Sequence, residues 1–172
     1  MKYNGFKLLL LVILMFSSLN AYESEDKLKV IIIGKVIKYI TWQNQDSKNF
    51  IITILKNNYG DLFDKIYKDK KVYKKPIKIV YIDSIDELGE TNILYVSENS
   101  ANNLSTIIEK TKDKNILLVG DIRGLAQKGG TMQIYFSSQK IKLRINLDVA
   151  NRDSLKFKST LLRIADVIRE DT

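Results

Sequence analysis

Apolar residues at positions 28, 32, 36 and 40, with 33 and 37 beside them, recur at helical spacing and predict a helix over 24–40. Ser24 is placed to cap it, and Glu25 and Asp26 suit the positive end of its dipole. The β-branched run Val30–Ile33 also permits a strand, but the length of the pattern favours helix. Phe50–Leu55 (FIITIL) is nearly continuous in apolar residues, as in a strand covered on both faces. A short helix is expected over Tyr59–Tyr67. A second strand follows at Pro76–Ile82 (PIKIVYI), whose first position tolerates proline, and a third at Asn92–Val96. Ala101–Lys110 reads as a helix with Leu104, Ile107 and Ile108 inward, and Asn115–Val119 as a fourth strand.

Strands alternating with helices of this length need crossover connections, and so a mainly parallel sheet. The last third breaks the rule. Met132, Ile134 and Phe136 alternate with polar or amphipathic neighbours, as do Ile141, Leu143 and Ile145, and Ser137-Ser138-Gln139 can close the two runs as a hairpin. Leu161, Leu162, Ile164, Ala165 and Ile168 then predict a closing amphipathic helix capped by Ser159. The expected fold is α/β: a single three-layer domain, its mainly parallel sheet flanked by helices and ending in an antiparallel hairpin and a C-terminal helix.

The first residues stand outside that pattern. Lys2 and Lys7 precede the unbroken apolar run Leu8–Phe16, and Ser17–Ala21 is small and polar. These are the three parts of a secretory signal peptide, with a cut expected after Ala21 and a folded domain over residues 22–172. The run is shorter than the roughly 20 residues of a membrane span, although an uncleaved anchor is the alternative. With no cysteine in the chain, neither a lipid anchor on sulfur nor a disulfide is available. The formal charge is +8. A basic protein outside the cytoplasm favours anionic neighbours such as headgroups, phosphorylated envelope polymers or an acidic protein face, and export argues against nucleic acid.

The chain has no histidine, so nucleophile–histidine catalysis and the usual zinc ligand sets are excluded. No catalytic residue, metal or cofactor is expected. The remaining candidates are binding residues. Asp121 follows a predicted strand, where ligands of parallel sheets bind, although Gly120-Asp121 could simply form a turn. Gly129 and Gly130 could aim backbone N–H groups at an anion, or merely let the chain turn into the hairpin. Arg144 and Asn146 share the strand face opposite Leu143 and Ile145. Arg144 there either pairs with a carboxylate or marks a binding surface. Trp42 is a packing residue or a contact. Lys65–Lys75 (KIYKDKKVYKK) is the densest charge run. It could be a solvated connection, a single-strand nucleic-acid site, or a docking patch for an acidic partner or headgroups.

Several spaced elements agree in order with one family. Gly129-Gly130, Leu143-Arg144-Ile145-Asn146-Leu147, Ala150, Leu161-Leu162-Arg163-Ile164-Ala165 and Tyr39-Ile40-Thr41-Trp42 together resemble the YfiR/HmsC-like family of exported bacterial proteins. The resemblance implies a periplasmic, non-enzymatic and commonly dimeric regulator. Such a protein binds the periplasmic sensor part of an inner-membrane diguanylate cyclase and holds it off, lowering cyclic di-GMP and biofilm formation. Some members carry disulfides linked to redox sensing. This chain cannot, and Gln43 stands where the family usually has proline. The alternative is a periplasmic binding module for a small anionic ligand. A hydrolase using Asp121 with a second carboxylate is the remote third.

Overall fold

A computed structural model describes residues 25–43 and 47–169. The expected signal peptide, residues 1–21, and the expected Ser24 cap lie outside these residues. Helix α1 (25–36) runs through a 3₁₀ turn, Ile37–Tyr39, into the two-residue strand β1 (Ile40–Thr41). Then come β2 (Phe50–Leu55), α2 (Leu62–Tyr67), β3 (Lys71–Val72), β4 (Lys75–Ile82), β5 (Ile93–Val96), α3 (Leu104–Thr111) and β6 (Leu117–Gly120). The hairpin β7 (Met132–Ser137) and β8 (Lys140–Asn146) follows. The chain closes with α4 (Leu147–Arg152), β9 (Lys156–Phe157), α5 (Ser159–Leu162) and β10 (Asp166–Ile168).

Eight strands form one sheet in the order β10-β8-β7-β6-β5-β2-β4-β3, while β1 and β9 form a separate antiparallel pair. The pairings β4–β2–β5–β6–β7 are all parallel, and β10 joins β8 in parallel as well. The expected α/β fold with its mainly parallel sheet and antiparallel hairpin is what the chain adopts. All six residues of β2 and all four of β5 and of β6 are buried, as strands covered on both faces must be. One face packs α1, α2 and the β1–β9 pair around Val30, Ile33, Phe50, Phe63, Tyr95 and Ile145. The other packs α3 and the segment after β6 around Leu94, Leu104, Ile107, Leu118 and Leu125.

Several local expectations shift. Helix α1 buries Val30 and Ile33 completely, and the 3₁₀ turn after it buries Ile37, whereas Leu28 is 44% exposed. The cause is geometric: each step of four residues overshoots a full turn by about 40°, so a strict i, i+4 series drifts off one face within three steps. Tyr59 precedes α2, its N–H bonded to Asn57 Oδ1. A 3₁₀ stretch, Glu98–Asn103, opens the expected helix at 101–110. Helix α4 was not predicted. Its N-cap is Asn146, whose side chain accepts a hydrogen bond from the Val149 N–H. The C-terminal helix is present as one turn, with Lys158 rather than Ser159 at the cap. The chain then extends as β10 and leaves Ile164 76% exposed. The hairpin turn places Ser138 at φ 50° and Gln139 at φ 60°. These left-handed values suit a two-residue turn that follows the strand twist.

Candidate functional site

Strands β2, β5 and β6 point their carboxyl ends the same way, at Leu55, Val96 and Gly120. The connection leaving β2 carries α2, which contributes Phe63 and Tyr67 to the first core cluster. The connection leaving β5 carries α3, which contributes Leu104 and Ile107 to the second, on the opposite face. The crevice between β2 and β5 is therefore a point where the winding reverses, the usual ligand position of open α/β sheets.

A buried polar network fills it. Lys29 of α1 donates to Asp121 Oδ2 at 2.7 Å and to Asp26 Oδ1 at 3.2 Å. The Tyr59 hydroxyl donates to the same Asp121 oxygen at 3.1 Å and lies 2.7 Å from the Tyr95 hydroxyl. Asp26 and Asp121 side chains are each 13% exposed and Lys29 15%. Gly120 permits the arrangement, because β6 passes so close to β5 that a Cβ there would meet Val96 O at 1.8 Å. Three buried oxygens at this edge have no hydrogen-bond partner: Asp121 Oδ1, Ser97 Oγ and Ser100 Oγ. A cleft of about 510 Å³ adjoins the network, lined by Asp26, Tyr59, Asp61, Leu62, Lys65 and Ile66.

Burial pushes the Lys29 ammonium down, but hydrogen bonds and charge from Asp121 and then Asp26 outweigh it, leaving its pKa raised. Burial, reinforced by the Asp121 charge, raises the Tyr59 and Tyr95 hydroxyls far above their ordinary value. Burial alone does the same for Tyr67. A raised folded-state pKa contributes stability that is complete below the unfolded value and is lost as pH rises through the folded one. Lysine and tyrosine act together here, so stability against urea should hold from neutrality to about pH 10 and fall steeply above it. Phenolate absorbance should show these tyrosines ionising only as the fold is lost. Ionisation of Tyr59, Tyr67 and Tyr95 below that transition would refute the buried network.

Chemically, the network binds and orders. It sets two carboxylates against one ammonium, which does not suit a small anion. Its tyrosines stay protonated, and no nucleophile is paired with a base. Among the described residues no group of histidine, cysteine, aspartate or glutamate could hold a metal ion.

The structure does not gather the other sequence candidates around Asp121. Trp42 is buried at the amino edge of the sheet, edge-on to Phe50, with Nε1 donating to Asn92 O at 3.2 Å. Gly129 has φ 105°, and the N–H groups of Gly129 and Gly130 bond to Ala126 O and Leu125 O. A Cβ on Gly130 would strike the Leu125 side chain at 2.6 Å. Arg144 pairs with Asp166 of β10 at 2.5 Å and lies over the Tyr135 ring at 5.1 Å. Asn146, besides capping α4, donates to Ala126 O at 3.0 Å. Sequence reasoning missed Asp26, Lys29, Tyr59 and Tyr95. The available signal was positional, since Tyr95 and Asp121 sit at the carboxyl ends of adjacent predicted strands.

A family model described as YfiR/HmsC-like matches residues 26–166. No curated protein matches the chain.

Proposed function

The chain belongs to the YfiR/HmsC-like family, whose periplasmic, non-catalytic members are known in cyclic di-GMP regulation, and from that premise we propose that it represses an inner-membrane diguanylate cyclase by binding the cyclase's periplasmic sensor part. The match across residues 26–166 carries this reading. The leader-like start supports it, since an exported chain would lie on the same side of the membrane as such a sensor. Among the described residues no helix is long and apolar enough to cross a membrane. In this reading the protein works as a homodimer and presents a surface rather than reactive groups.

Repression requires tighter binding to the off state of the target than to the on state, because equal binding shifts nothing. Moving a cyclase from 1:99 to 99:1 takes about 5.5 kcal/mol of differential affinity, within reach of a standard interface. Deleting the gene should raise cyclic di-GMP and surface attachment. Restoring it with its leader should reverse both, and expressing residues 22–172 in the cytoplasm should not. Unchanged cyclic di-GMP in the deletion strain under several growth conditions sinks the reading.

A further inference from the structure

The charge run 65–75 acquires a shape in the fold. Lys70, just before β3, and Lys71, its first residue, face Lys35 and Lys38 of α1 and its 3₁₀ extension across a recess of about 380 Å³. Ile31, Ile66, Val72 and Ile77 supply apolar lining, and no carboxylate lines it. All four lysines are exposed, and among the described residues none of them has an ion-pair partner. Lys70 alone makes a charge contact, 5.9 Å above the Tyr67 ring. Four neighbouring ammonium groups with no ion-pair partner repel one another, although Asp69 lines the adjoining recess beside Lys70 and Lys71, and are most favourable with an anionic occupant between them.

We propose that this recess is a docking groove for an acidic segment of a protein partner, an extended stretch that carries carboxylates together with an apolar side chain. Three features select that occupant. The lining is apolar beneath a basic rim, so carboxylates alone would leave it unfilled. Strand β3 ends the sheet and pairs only with β4, so its outer edge offers backbone groups to an added strand. Lysines on that edge repel a second copy of the same edge and attract an acidic one. The concave form is poorly matched to a flat headgroup layer. Stacked nucleotides lack a platform in the recess, because the Tyr67 ring that lines it is buried, with its hydroxyl donating to Val30 O, and the exposed Tyr73 lies outside the lining. The proposal deepens the regulator reading, and rests on it only in taking the membrane protein's periplasmic part as the source of the segment.

The test uses the exported chain and a fluorescein-labelled peptide of alternating glutamate and leucine, read by anisotropy. This peptide should bind in a salt-sensitive way, a glutamate–serine peptide about tenfold more weakly, and a lysine–leucine peptide not at all. The double variant K35E/K71E should lose at least about tenfold in affinity. The variant K114E/K128E, with the same change in net charge on exposed residues outside the recess, should keep it. Both variants should retain the parent's thermal midpoint. Equal loss in both would reduce the effect to overall charge and overturn the groove. Lysine-dependent binding of phosphatidylglycerol vesicles, or of inorganic phosphate, with no peptide binding would overturn it in favour of those anions. The two readings separate cleanly. If the peptide binds but the gene deletion leaves cyclic di-GMP unchanged, the regulator reading fails and the groove stands. If no peptide binds while K35E/K71E still represses in cells, the groove fails alone.

Discussion

Gly120→Ala should remove most or all of the protein's cooperative unfolding transition. The methyl group would lie 1.8 Å from Val96 O and 2.8 Å from Val96 Cγ2. The nearest obstacle is main chain, so no side-chain rotation relieves the overlap. Strands β5 and β6 would have to separate, and they pair in parallel from Ile93↔Leu117 to Val96↔Gly120 in the middle of the sheet. Both are fully buried, so separation also opens the two core clusters they divide. The cost should exceed about 4 kcal/mol, the range reserved for severe overpacking, out of a total near 5–15 kcal/mol. Gly89→Ala is the matched control, since nothing lies within 4 Å of its added Cβ. Urea denaturation of both variants decides the matter. Equal midpoints for the two would show that β5 and β6 do not approach as described.

Asp121→Ala should cost about 3 kcal/mol or more, because breaking a buried ion pair strands the remaining charge. Lys29 would keep only Asp26, at 3.2 Å, and the Tyr59 hydroxyl would retain only Tyr95. Asp121→Asn keeps an oxygen to accept from Lys29 and Tyr59 and removes the charge, so its loss should be smaller. Double replacement of Lys29 and Asp121 by apolar residues should recover part of the alanine deficit, the signature of a pair that holds position more than it adds stability. If the role of Asp121 is structural, a folded Asp121→Asn protein still lowers cyclic di-GMP. A folded variant with no effect in cells would instead make the crevice between β2 and β5 a ligand site, with the unpartnered Asp121 Oδ1 as its first contact.

What could be read from the chain follows the range of the forces involved. FIITIL and the runs at 93–96 and 117–119 announce buried parallel strands because burial on both faces leaves little room for polar residues. The hairpin is equally plain, since β7 and β8 alternate and are neighbours in sequence. The closing segment was harder. Leu161, Leu162 and Ala165 do pack against the core, so the helical spacing was informative, but an unpaired edge of β8 captures 166–168 as a strand. That is tertiary context overriding a local pattern. The polar network was least legible. Lys29 and Asp121 lie 92 residues apart, and Tyr59 and Asp121 lie 62 apart. Nothing local marks one as the partner of another. Arg144 was open between an ion pair and a binding face, and only the placement of β10 supplies Asp166.

The pairing of β1 with β9 sets Ile40 against Phe157, near the two ends of the described chain. Loop-closure entropy makes such a contact late, and the parallel pairings of the sheet add further long-range steps, so folding should be slow for a protein of this size. A chain still emerging from its ribosome cannot form this clasp until residue 157 has been made. In the exported reading proposed above, that delay would help the chain cross a membrane before its last strands close it.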